Sequence, residues 1–399
     1  MDSSADVRPP HGAVFSVLYL PFGIVAGYFT VTLGFLLSRS GVDATAIALI
    51  ASINLFPQTW GVVWAPILDS TLSYRRWYVI ATTGAGLGVA AVGFIPTDAS
   101  MLLLFDVVVL VASIAVTVTP YTTNALMAHT MPDGKRGRAA GWAQAGNIGG
   151  QGLGGGLGLW LAQHAHAPWI AGATLGALCI ACSAMLIFVA EPLHVHRAPR
   201  FIETLKNIGK DVWDMARSRT GYMAMVLLLM PMGTGAAAIL WGAVAHDWHA
   251  SGDVVAAVAG VLGGLVSALG SIFAGRFADS FGPKPSYLAS AFLMSVTAVG
   301  MAIAARTPMM FTVFALIYAL TNGFMYGAYG SVVLEAIGRG CAATKAPLLG
   351  CLTNIPVLTM TMVDGNAQTY WGSGGMLITE AVVGFAGMAF FAVFVMLVR

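Results

Sequence analysis

Gly275-Arg276-Phe277-Ala278-Asp279-Ser280-Phe281-Gly282-Pro283-Lys284 closes one long apolar run and leads into the next. It reads G-x-x-x-D-x-x-G-x-[K/R]. The small Gly275 lets two helices touch. Asp279, at a helix end, can face a cation or the N-terminus of another helix across an interface. Contacts of this kind hold one arrangement of two bodies and break in the other. The flanking runs are each long enough for a membrane-spanning helix, which needs about 20 mostly apolar residues.

The whole chain has the same character. Of its 399 residues, 58% are hydrophobic and 9% charged, against roughly 25% charged in a soluble protein. Mean hydropathy is +0.80. That much apolar surface excludes a water-soluble fold and a disordered chain. The 48 glycines and 20 methionines suit close-packed membrane helices. A net charge of +2 gives no argument for a nucleic-acid partner. Cys179 and Cys182 are spaced C-x-x-C inside an apolar run and read as packing residues. With Cys341 and Cys351 they form neither a disulfide framework nor a zinc pattern, and no cofactor is implied. Met1-Asp2-Ser3-Ser4-Ala5-Asp6 lacks the basic region of a cleavable signal, so the first apolar run is expected to stay as a span.

Twelve spans are predicted, at about 13–38, 44–67, 77–95, 100–127, 139–163, 167–190, 220–244, 253–278, 285–305, 308–333, 346–371 and 374–398. They are too long and too continuous for barrel strands, which leaves an all-α membrane protein. A polar stretch, 191–219, cuts them into six plus six: a tail 1–12, a bundle 13–190, a linker 191–219 and a bundle 220–399. Within the linker, Phe201 to Met215 reads as an amphipathic helix on the membrane surface. With both termini cytoplasmic, 17 of the 19 lysines and arginines fall on that side, from Arg8 through Arg197, Arg200 and Arg339 to Arg399. Only Arg39 and Arg306 fall opposite, so cytoplasmic termini are expected.

The halves repeat. Pro21-Phe22-Gly23 recurs as Pro231-Met232-Gly233, and Ala65-x-x-x-Asp69 as Gly275-x-x-x-Asp279, each 210 residues on. Asn147-Ile148 recurs as Asn354-Ile355, 207 residues on. Three matches in order imply two six-helix bundles related by a pseudo-two-fold axis.

The Gly275 to Lys284 stretch resembles the signature loop of the major facilitator superfamily, and the resemblance extends over nearly the whole chain. Gly41-Val42-Asp43, Pro57 with Trp64-Ala65-Pro66-Ile67-Leu68-Asp69, and Thr344 to Pro356 resemble its muropeptide permease (AmpG-type) branch, which is related to acetyl-CoA transporters and some siderophore importers. The resemblance implies alternating access between two rocking bundles, a conformational gate at Asp69, Arg75, Arg76, Gly275, Asp279 and Lys284, and a monomer in a bacterial inner membrane. The chain departs from the branch where the family has a lysine, here Gly61, and acids in the fourth span, here Tyr121 and Asn124.

No lysine or arginine falls deep in a span, so a multiply anionic cargo lacks its usual partners. A neutral, zwitterionic or cationic solute fits better. Acids do fall in spans. Asp364, Glu380 and Asp106 are the candidate proton-coupling residues, with Asp364 leading because it follows Asn354 on a Pro356-interrupted span. Amides and aromatics are frequent in the inner spans: Tyr19, Tyr28, Tyr121, Asn124, Gln144, Asn147, Gln151, Trp241, Tyr318, Asn322, Tyr326, Tyr329, Asn354, Asn366 and Gln368. Ten of these are candidate substrate-binding residues: Tyr28, Tyr121, Asn124, Gln144, Asn147, Gln151, Trp241, Asn322, Tyr326 and Asn354. Asn147 and Asn354 lead, because the repeat sets them at equivalent depth.

Gly150 to Gly155 matches G-x-G-x-x-G but follows no strand, so a dinucleotide site is not expected. Gly146, Gly150, Gly154 and Gly158 instead share one helix face, expected to press against a helix of the other half. His164, His166, His194, His196, His246 and His249 lie in loops, and no nucleophile, base and acid set has an enzyme's spacing. The expected function is transport of a small organic solute with protons as partner. Efflux of amphipathic cations and a non-transporting membrane sensor are the alternatives.

Overall fold

The computed structural model describes residues 9–42, 44–167, 169–191, 201–258, 262–338 and 342–397. Arg8, Asp43, His194, His196, Arg197, Arg200, Arg339, Cys341 and Arg399 lie outside the described residues. Among those described, every element is helical and none is a strand.

In the first half, α1 runs Gly12–Arg39, with a π turn at Tyr28–Thr32. Helix α2 covers 44–70 as Ala44–Thr59 and Gly61–Ser70, bent at Trp60. Helices α3, Tyr74–Phe94, and α4, Leu102–Thr130, follow. Helix α5 covers 136–164, with a π turn at Leu153–Leu157, and α6 is Trp169–Phe188. A linker helix, Phe201–Arg217, leads to the second half. There α7 covers 219–247, and the described parts of α8 are Gly252–Ala257 and Gly263–Phe281. Helices α9, Pro283–Ile303, and α10, Pro308–Ile337, come next. A single run, Ala342–Leu397, is broken at Gly372 (φ 69°) into α11 and α12.

The local sequence explains the helix ends. Ser73, Ser218, Ser251 and Thr307 each cap a helix by accepting a backbone N–H in its first turn. Large apolar side chains such as Leu103, Ile187 and Ile303 are more than three-quarters exposed, an outer surface that only lipid satisfies. In the linker helix the Arg217 guanidinium sits 4.7 Å over the exposed Trp213 ring, a pairing suited to a membrane surface.

The repeated Pro-x-Gly is used differently in the two halves. Gly23 sits inside continuous α1, where a Cβ would overlap the Asn147 carbonyl of α5. Gly233 sits where α7 unwinds over residues 230–235, with φ of 63° there and 72° at Gly235. Two glycines in the left-handed region let α7 break where α1 cannot.

The glycine face of α5 corrects one expectation. Gly146, Gly150 and Gly154 press on backbone carbonyls of α1 at Ser16, Leu20 and Ile24, and Gly158 faces Thr32 and Tyr28. All four contacts stay within the first half. The approach to the second half is made one turn earlier, where Gly137 and Gly141 of α5 meet Gly275 and Ser271 of α8. Equal spacing had marked a small-residue face without saying which neighbour it meets.

A Cβ at Gly150 would lie 2.5 Å from the Leu20 oxygen, whereas nothing lies within 4 Å of one at Gly149. Gly150→Val is therefore expected to destabilise the fold by ~1–3 kcal/mol. Purified in detergent, it should melt several degrees below wild type, and Gly149→Val should not.

Candidate functional site

Two carboxylates join the halves at the end of the molecule where the linker attaches. Asp69, the second-last residue of α2, is buried. Its Oδ1 accepts from the Tyr74 hydroxyl at 2.6 Å. Its Oδ2 accepts from the Thr344 backbone N–H at 2.8 Å and the Thr344 hydroxyl at 2.5 Å. The acid thus caps the N-terminus of α11, in the other half. Asp279, near the end of α8, does the same for α5. Its Oδ2 accepts from the Arg138 backbone N–H at 3.2 Å and pairs with the Arg138 Nε at 3.1 Å. Free N–H groups and the helix dipole both favour a carboxylate there. The Ser271 hydroxyl adds a bond to the Gly141 carbonyl at 2.9 Å, again between α8 and α5.

Not all the expected gate residues cross the interface. Lys284 Nζ pairs with Glu335 at 2.7 Å and joins α9 to α10 inside the second half. Arg75 and Arg76 take part through their backbone N–H groups, bonded to Glu191 and Ser73 at the start of α3. Asp69, Gly275 and Asp279 are the expected gate residues that meet the opposite half.

Above this closure lies a cavity of about 450 Å³, lined by both halves. The first half contributes carboxamides: Asn54, Gln58, Asn124, Gln144, Asn147 and Gln151. The second contributes Tyr287, Tyr326, Tyr329, Thr234, Thr353 and Asn354. Among the described lining residues there is no Asp, Glu, Lys, Arg or His. The Tyr19 hydroxyl donates to Asn124 Oδ1 at 2.7 Å. Along α5, Gln151 Nε2 donates to Asn147 Oδ1 at 3.3 Å, and Asn147 Nδ2 to Gln144 Oε1 at 3.2 Å. The unwound part of α7 adds Gly233 and Thr234 to the wall.

Gly61 and Tyr121 touch: a Cβ at 61 would overlap the Tyr121 hydroxyl. Two of the positions at which the sequence departs from the permease-branch pattern are therefore in contact. An uncharged ring fills the room that a side chain at 61 needs.

The acids group differently. Glu380 Oε1 accepts from the buried Tyr318 hydroxyl at 2.5 Å, and the Ala237 backbone N–H faces the same carboxylate. Asp364 is fully buried within electrostatic reach of both Glu380 and Tyr318, and neither of its oxygens has a hydrogen-bond partner. This pair lies inside the second half, on α11 and α12. Asp106, on α4, belongs to the first half and stands apart from it.

Seven of the ten expected binding residues line the cavity: Tyr121, Asn124, Gln144, Asn147, Gln151, Tyr326 and Asn354. Three do not. Tyr28 packs inside the first half against Gly158 and Gly172. Trp241 packs edge-on against Tyr318, centroids 5.1 Å apart, and so walls the acid pair. Asn322 sits one turn beyond Tyr318, its oxygen facing Gly235 of the unwound segment. Asn54, Gln58, Tyr287, Thr234 and Thr353 were not anticipated. For Asn54 and Gln58 the signal was present, as two polar residues one turn apart in an apolar span.

The family model for the Major Facilitator Superfamily matches residues 15–346, and the chain belongs to that superfamily. It is a multi-pass membrane transporter rather than an enzyme. No curated protein sequence matches it. Among solved structures, the human organic anion transporter MFSD10 (TETRAN) is similar with a TM-score of 0.74, at 16% identity over 96% of this chain and 100% of that one. The E. coli fucose:proton symporter FucP gives 0.72, at 16% identity over 96% and 98%. The proton:xylose symporter XylE gives 0.66, at 16% identity over 96% of both chains. At that identity the likeness shows the fold.

Asp69 is buried and takes three short bonds, whereas the side chain of Arg138, the partner of Asp279, is 56% exposed. Charge-assisted bonds contribute about 1.5–3 kcal/mol each; Asp279 is 5% exposed, but its backbone bond is longer, at 3.2 Å, and the exposed side of its ion pair is screened by solvent. Asp69→Ala is therefore expected to open the linker end more than Asp279→Ala. Distances between spin labels on α2 and α11 at that end should lengthen in the first variant and change less in the second.

Proposed function

We propose that the chain is a secondary active transporter that carries a small neutral or zwitterionic solute by alternating access and couples its uptake to protons. The observation that carries this reading is the uncharged, amide-lined cavity between the halves, closed at one end by two exchangeable carboxylate caps. A cargo there meets hydrogen-bonding groups of both halves at once, so rocking the halves exchanges its access. A charged cargo finds no counter-ion in the wall, and an unpaired charge out of water is costly. The same absence of wall carboxylates argues against efflux of amphipathic cations. A sensor needs an output domain, for which the linker is short.

The Asp364 and Glu380 pair supports proton coupling. Among the described residues no lysine or arginine bonds to either of these buried carboxylates, so desolvation and mutual repulsion oppose a double charge there. They hold a proton when shut away and release it when water reaches them. The named functions of XylE and FucP are in keeping with this. The branch resemblance supports uptake of a glycopeptide- or siderophore-like cargo. The lysine and arginine asymmetry supports cytoplasmic termini, and the family resemblance supports a monomer in a bacterial inner membrane. The linker end is then the cytoplasmic end, and the described state is closed to the cytoplasm.

The test begins with thermal shifts of the purified protein against neutral sugars, glycopeptides, ferric siderophores, acyl-CoA esters and lipophilic cations, since a ligand of the folded state raises its melting temperature. A neutral or zwitterionic class should stabilise, and lipophilic cations should not. The stabilising solute is then followed into proteoliposomes. Wild type should accumulate it under an inward proton gradient. Asp364→Asn/Glu380→Gln should retain exchange yet lose at least ~90% of gradient-driven accumulation, a barrier of only about 1.4 kcal/mol per tenfold. Full accumulation in that double variant excludes the pair as the coupling site, and accumulation driven by sodium alone replaces the proton.

A further inference from the structure

We infer that Gln368 is a positioning residue for the proton of the acid pair: the proton sits on Asp364, and its O–H donates to Gln368 Oε1. This rests on the proton-coupling reading above and names the two atoms between which the proton is held.

Asp364 and Gln368 are one turn apart on the same face of α11. Both carboxyl oxygens of Asp364 and the Oε1 of Gln368 are buried, and none of the three has a hydrogen-bond partner. Two acceptors cannot satisfy each other. One proton changes that, because a neutral carboxyl donates through its O–H. Asp364 then has a hydrogen to give, and the amide oxygen one turn on lacks one. A buried polar atom without a partner is costly, so each group supplies what the other needs. Glu380 does not need the same help, since the Tyr318 hydroxyl of α10 already donates to its Oε1. Asp106 stands apart on α4, and no lysine or arginine among the described residues bonds to Asp364.

The direction of the amide is set by its other end. The chain breaks at Gly372, with φ of 69°, and Ser373 at the start of α12 meets Gln368. The Ser373 hydroxyl donates to Asp247 Oδ2 at 2.6 Å, and its backbone N–H faces the same carboxylate. Asp247 ends α7 with its side chain 31% exposed, 3.8 Å from His246 and within electrostatic reach of Arg306. It is therefore an ionised carboxylate, which only accepts. The one hydroxyl hydrogen of Ser373 is committed to it. Towards Gln368, at 2.9 Å, Ser373 Oγ has only a lone pair to offer. The carboxamide must present its NH₂ there, which leaves Oε1 on the other side. This assignment follows from the chain of donors and not from which amide atom is drawn as oxygen.

The test is infrared difference spectroscopy of the full-length protein in liposomes, titrated with pH. A protonated carboxyl shows a C=O band whose frequency reports its hydrogen bonding. Wild type should show one such titrating band that Asp364→Asn removes. Gln368→Leu keeps the bulk and deletes the acceptor. It should move the band towards the frequency of a carboxyl without hydrogen bonds. It should also lower the half-point of the titration by about 0.5–1 pH unit, a threefold to tenfold loss of proton affinity. Ser373→Ala frees the amide to turn its NH₂ to the carboxylate. That variant should lower the half-point while leaving the band of the protonated form in place, a separation that a general loosening of the fold does not produce. Where Gln368→Leu fails to fold, Ser373→Ala carries the test. A band and half-point unchanged in Gln368→Leu overturn the inference. A band that survives Asp364→Asn and is lost in Glu380→Gln overturns it too, but leaves the coupling reading standing. The expected shifts, together with full gradient-driven accumulation in Asp364→Asn/Glu380→Gln, support the placement of the proton and remove the coupling reading.

Discussion

A carboxylate laid on the N-terminus of a helix from the opposite half is the contact on which the rest of this structure depends. Asp69 makes it to α11 and Asp279 makes it to α5, at positions the repeat relates. A helix start offers each of them free N–H groups and a favourable dipole, and Asp279 adds an ion pair with Arg138. Both need the backbones to come close, which explains Gly137, Gly141 and Gly275 at the α5 and α8 crossing. The contact suits a reversible closure.

Closure at one end turns the space between the halves into a cavity with chemically different sides. Carboxamides come mainly from the first half and phenols from the second. Tyr121, packed against Gly61, adds no charge to that wall. The two buried acids sit elsewhere, on α11 and α12, with Trp241 and Tyr318 around them. The unwound segment of α7 lies between these regions. Gly233 and Thr234 line the cavity, and Ala237 faces Glu380. The amide-lined cavity and the buried acid pair thus lie apart and share one irregular stretch of backbone.

Much of this was legible in the sequence. The spans were visible because lipid requires long apolar helices, and Asp279 because a charged residue between two such runs has few uses. The repeat singled out Asn147 and Asn354, and both line the cavity. What the sequence lacked was direction. A four-residue spacing gave Gly146 to Gly158 a face without a neighbour, and that neighbour is α1. Tyr28, Trp241 and Asn322 had the right chemistry in the right spans, but a helix surrounded by protein has several inward faces. The break in α7 was hidden because the same Pro-x-Gly sits unbroken in α1; Gly235, without a counterpart in the first half, was the clue. Lys284 looked like a gate by its place in the loop, yet its stem reaches Glu335 in its own half more directly.

The uncharged cavity wall also bears on how such a carrier responds to membrane voltage. A field across the bilayer does work only on charge that moves through it, about 2.3 kcal/mol per elementary charge per 100 mV. A wall of amides and phenols contributes none. With a neutral cargo, the loaded carrier turns over almost unseen by the field, provided Asp364 and Glu380 are then protonated. On the proposed coupling, the electrical cost falls on the empty return, when a bared carboxylate must cross alone. On that reading, the identity of the voltage-sensitive step is written into which residues were kept out of the cavity wall.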